Sequence, residues 1–147
     1  MKYFTRRIFS PASTSTYIRA IKLLPVLFLL QLSLSAQTVI FCEKVTEDGT
    51  ARSPSTHFAI GKNGGFLRAL VRLNKGIQSE FAIIDIYKVD DKTKSEIYES
   101  TVRVSTQPDW TWFSKELVFA KPGNFNVYVY DDKDKLLSAG RIKIDAP

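Results

Sequence analysis

Beyond residue 36 the apolar positions recur every second residue. Phe125, Val127 and Val129 alternate with Asn126, Tyr128 and Tyr130. Ile84 and Ile86 alternate with Asp85 and Tyr87, and Ile142 and Ile144 with Arg141 and Lys143. Leu67, Ala69, Val71 and Leu73 oppose Arg68 and Arg72. A period of two sends successive side chains to opposite faces, so each run reads as a strand with one buried face. The runs are rich in Val, Ile, Tyr and Phe. Between them stand Glu47-Asp48-Gly49, Asn63-Gly64-Gly65, Asn74-Lys75-Gly76, Asp90-Asp91-Lys92 and Pro122-Gly123-Asn124, residues that accept tight turns. The pattern predicts strands near 38–45, 56–60, 66–73, 81–89, 96–104, 112–119, 124–131 and 136–144. The run at 96–104 alternates poorly, which predicts a bulge near Glu99 to Thr101. Short strands at this spacing predict an all-β sandwich or barrel.

Residues 1–36 read differently. Lys2, Arg6, Arg7, Arg19 and Lys22 occur with no acidic residue, and an apolar block, Leu23 to Leu34, follows. Ser33, Ser35 and Ala36 then give a small-residue exit. Positive flank, short apolar core and small exit describe a secretory signal peptide. The block is shorter than the ~20 residues of a spanning helix, so export is expected and a permanent anchor is not. Cleavage after Ala36 leaves Gln37 first; cleavage after Ser35 fits nearly as well. Thr5-Arg6-Arg7-Ile8-Phe9 resembles the twin-arginine export signal, but the Leu-rich core suits the general pathway better.

Charge changes meaning once it is located. The 147-residue chain has 21 Lys and Arg against 15 Asp and Glu, a formal net charge of +6. Five of the basic residues lie in the leader, so 37–147 carries 16 basic and 15 acidic residues, net +1. That domain spreads its basic residues over many strands, and export removes it from nucleic acid, so nucleic acid is not expected as a partner. A single Cys excludes an intramolecular disulfide, and a single His beside it makes a Cys/His zinc site unsuitable.

The stretch Leu117 to Asp132, LVFAKPGNFNVYVYDD, resembles the end of bacterial immunoglobulin-like modules of the PKD and fibronectin-type-III kinds. Phe119, Pro122, Gly123, Phe125, Val127 and Val129 stand where those modules place a strand-end aromatic, a Pro-Gly corner and an alternating strand. Ile84 to Lys88 resembles their central strand. The detailed match spans about 81–144. It implies an immunoglobulin-like β-sandwich of about seven or eight antiparallel strands over 37–147, and no activity of its own. The antibody-type cysteine pair is missing, so packing alone holds the two sheets.

Candidate chemistry is sparse. Cys42 lies in an apolar strand pattern and His57 opens another, a poor start for a nucleophilic pair. Asp131-Asp132-Lys133-Asp134 offers oxygens for calcium, but its lysine and the missing closing Glu favour a charged hairpin turn. No cofactor is expected. The aromatics carry more. Tyr87, Tyr128 and Tyr130 are expected on one outer sheet face, and Trp110 and Trp112 flank Thr111. Flat rings with polar neighbours offer rigid contact area and a hydrogen-bonding tip. These residues point to an exported, non-catalytic binding module of the bacterial envelope, periplasmic or extracellular. Its expected partner is an envelope protein met by the tyrosine face or an edge strand. The alternative is a polysaccharide met by Trp110 and Trp112.

Overall fold

A computed structural model describes residues 37–147, and those residues are all-β. The strands are β1 (Gln37–Thr38), β2 (Ile40–Cys42), β3 (Lys44–Val45), β4 (Ala51–Arg52), β5 (His57–Ala59), β6 (Gly65–Arg72), β7 (Phe81–Val89), β8 (Glu96–Ser105), β9 (Trp112–Phe119), β10 (Gly123–Tyr130) and β11 (Leu136–Asp145). The expected signal peptide, 1–36, lies outside the described residues. Among the described residues no helix is long and apolar enough to cross a membrane.

The large sheet runs β1-β11-β10-β7-β8, with β5 also on β11, and the smaller sheet runs β2-β6-β9. Alternation does the sorting. Ile84, Ile86, Val127, Val129, Ile142 and Ile144 from the large sheet join Leu67, Ala69, Val71, Phe113 and Leu117 from the small one in a single buried cluster. Each such side chain removed from water contributes roughly 1.5–3 kcal/mol, which holds the sheets together without a cross-link. Phe119 and Phe125 close one end of this core edge to face, ring centroids 4.9 Å apart.

Most predicted strands fall where expected, and two details differ. The run 38–45 is not one strand: β1 joins the large sheet, β2 the small one, and β3 pairs with β4 in a separate ribbon. That ribbon packs on β2 and β6. It explains why Cys42 and Leu70, on the face of the small sheet turned away from the core, are fully buried. The strands are also not all antiparallel, because β1 and β5 both run parallel to β11. The predicted bulge is present: Ile86 pairs Ser100 and Tyr87 pairs Tyr98, which leaves Glu99 unmatched.

Candidate functional site

Register builds the outer face of the large sheet row by row. One row reads Glu96, Val89, Asn124, Lys143, His57 across β8, β7, β10, β11 and β5. The next reads Tyr98, Tyr87, Asn126, Arg141. The third reads Thr101, Asp85, Tyr128, Ala139. Directly opposed residues share a face, and their Cβ atoms stand about 4.5–5.5 Å apart. The face is therefore aromatic and acidic over β7, β8 and β10, and basic over β11 and β5.

In the aromatic half the rings of Tyr98 and Tyr128 each lie 5.9 Å from that of Tyr87, tilted 75° and 71° to it. Tyr87, on the strand between theirs, thus makes an edge-to-face contact with each. A carboxylate anchors one hydroxyl and a threonine another. Tyr128 donates to Glu96 at 2.6 Å, and Asn126 donates its side-chain amide to the same oxygen. Tyr98 donates to the Thr101 hydroxyl at 3.1 Å, which donates onward to Asp85. The bonds from Tyr128 and then Asn126 hold the Glu96 carboxyl below its usual range. The same bond, then burial, pushes the Tyr128 hydroxyl up. Burial raises Tyr130, with the Asp85 carboxylate adding to it.

The basic half borders a cleft of about 700 Å³ lined by His57, Lys94, Asn124, Asn126, Arg141 and Lys143 among others, with no carboxylate in its lining. Lys143 is held by Asp145 at 3.0 Å. Asn124 donates to Asp91 at 2.8 Å. Among the described residues Arg141 makes no salt bridge. Asn126 belongs to both halves, since it lines the cleft and donates to the Glu96 that anchors Tyr128.

Of the expected tyrosines, Tyr87 and Tyr128 are in contact on this sheet and Tyr130 lies further along β10. Tyr98 was missed, because the bulge at Glu99 breaks the alternation that would have placed it. The tryptophans lie elsewhere, in a cleft of about 820 Å³ bounded by the edge strands β8 and β9. Trp110 is 39% exposed. Trp112 packs against Gly49, where a Cβ would stand 2.7 Å from the indole.

Cys42 and His57 sit on different sheets. Burial raises the Cys42 thiol, which donates to the Arg68 carbonyl at 3.7 Å. Asp131 spends its carboxylate on its own turn, accepting from the Lys133 and Lys135 amides at 2.9 Å. No group of three metal-ligating side chains gathers among the described residues.

No protein-family model matches the chain, and no curated protein does. Solved structures do. An uncharacterised protein from Bacillus anthracis is similar with 12% identity and a TM-score of 0.41, over 62% of this chain and 76% of that one. Superoxide reductase (neelaredoxin) from Ignicoccus hospitalis is similar with 16% identity and a TM-score of 0.36, over 62% and 76%. A variant of that reductase gives 14% and 0.40, over 75% and 83%. These findings correct one expectation. The similar solved structures are not the non-catalytic envelope binding module expected from the sequence: they include a named enzyme. At TM-scores below 0.5, that likeness gives this chain no activity either.

Proposed function

We propose that the protein binds a small organic cation on the outer face of its large sheet, in the angle made by Tyr87, Tyr98 and Tyr128. The observation that carries this is the arrangement of the three rings, two standing steeply on a third at 5.9 Å. The face of an aromatic ring is the negative end of its quadrupole, so several faces turned on one volume attract a quaternary ammonium. The Tyr128 phenol, which donates to the Glu96 carboxylate, is richer in electrons, and Glu96 and Asp85 add net negative charge at the rim. Each ring contributes about 0.5–2 kcal/mol. Three rings then give a dissociation constant on the order of 1 mM for a bare ammonium ion.

Titration with choline, followed by NMR shifts of the tyrosine rings, tests the reading. Tyr98→Ala should weaken binding about ten-fold, and Tyr98→Phe should largely restore it. If 3,3-dimethylbutanol, the neutral isostere of choline, binds equally well, the cage does not recognise charge and the proposal fails.

Export and an immunoglobulin-like class belong to the same proposal. The basic, apolar and small-residue order of 1–36 supports export to the periplasm or beyond. The parallel pairing of β1 with β11, beside a separate β2-β6-β9 sheet, supports the immunoglobulin-like class. Mass spectrometry of the mature N-terminus tests export, and a start at Met1 would exclude it.

A further inference from the structure

The cation cage does not stand alone on its face. Tyr87, Asn126 and Arg141 form one continuous cross-strand row over β7, β10 and β11. Adjacent strands lie about 4.8 Å apart, so the Arg141 backbone is about 10 Å from that of Tyr87. A long guanidinium side chain bridges much of that distance over the short Asn126. Arg141 is exposed and lacks a salt-bridge partner among the described residues. Lys143, two residues along the same face, is paired with Asp145, and Lys94 stands across the cleft. Positive groups therefore collect one strand away from a cage that attracts positive charge. A lone cation would gain nothing from them.

We infer that the cage and the cleft hold the two ends of one zwitterionic ligand, an ammonium group joined by a short bridge to a phosphate or carboxylate. This rests on the cage reading and names the ligand class for it. The ammonium sits among Tyr87, Tyr98 and Tyr128. The anion sits on the β11 side of Asn126, where Arg141 offers a planar fork of donors that matches a phosphate or carboxylate edge. Lys94 adds unspecific positive charge, while Lys143 is paired with Asp145. Glu96 sets the polarity. Its carboxylate is committed to Tyr128 and Asn126, on the cage side, and repels the anionic end toward β11.

The test is calorimetric titration of the full chain with phosphocholine, choline and inorganic phosphate in separate runs. Phosphocholine should bind at least ten-fold more tightly than either fragment. In Arg141→Met that preference should fall at least ten-fold, with the thermal melt checking that this exposed substitution leaves the fold intact. Equal binding of choline and phosphocholine by the native chain would overturn the inference and leave the cage standing. Phosphate alone binding as tightly as phosphocholine would also overturn it. Failure of both choline and phosphocholine to bind would remove the cage and the inference together. With phosphocholine binding in hand, flotation with phosphatidylcholine vesicles assigns the zwitterion to a lipid headgroup. Lack of flotation assigns it to a free molecule, and either result supports the inference.

Discussion

Glu96 sits on β8, yet its carboxylate accepts from Tyr128 and Asn126 on β10, across the whole width of β7. The two shifted groups of this bond act in opposite pH directions. Glu96 is lowered, so its contribution is present above the unfolded carboxyl value and lost as pH falls through the folded one. Tyr128 is raised, so its contribution is complete below the ordinary phenol value and lost as pH rises through the folded one. Between those limits the bond stays intact. Glu96→Gln removes the charged acceptor and should bring the Tyr128 titration down toward that of an ordinary phenol. Ultraviolet detection of phenolate reads this, and an unmoved Tyr128 would contradict it. Gly49 makes a second case at this scale. Its φ is +76°, and an added Cβ would press on the Trp112 indole at 2.7 Å. Gly49→Ala should cost about 1–3 kcal/mol in urea denaturation and alter tryptophan fluorescence.

At the scale of elements, β9 shows how completely alternation separates two neighbours. Leu117 is fully buried between the sheets, whereas Val118 is 70% exposed. Leu117→Ala should lose about 2–5 kcal/mol, the cost of a buried leucine plus its cavity. Val118→Ala should stay within about 0.5 kcal/mol. Chemical denaturation of the two variants compares them directly. The long strands, β9 among them, were legible in the sequence, because strand periodicity is local. The segment 38–45 was not. Its residues carry strand propensity throughout, but β1, β2 and β3 leave for different sheets, and only distant partners decide where each piece goes. Leu70 is a similar case. Alternation turns it away from the core, yet it is buried by packing of the β3–β4 ribbon, which no pattern within β6 announces.

Across the whole molecule, pairing joins the first described residues to the last. Gln37 stands opposite Ser138, and the buried Ser138 hydroxyl donates to the Gln37 carbonyl. The large sheet closes only when such remote segments meet, and the chain entropy of those closures comes before the contacts that offset it. Refolding from denaturant should therefore take milliseconds to seconds, in the range of other all-β domains. Stopped-flow tryptophan fluorescence measures it, and completion in microseconds would exclude a transition state that contains these pairings.

Sequence alone determined the all-β class, the positions of the long strands, the faces of the evenly alternating strands and the tyrosines of β7 and β10. All of these follow from period-two alternation and turn chemistry, which act between near neighbours. Tertiary structure alone decided which strands lie side by side. That choice brought Tyr98 to Tyr87 across a bulge, stretched Glu96 over β7 to Tyr128, and placed Arg141 in one row with the cage. Each of those contacts joins residues from different strands. Their register is set by packing the whole core, and no window of sequence contains it.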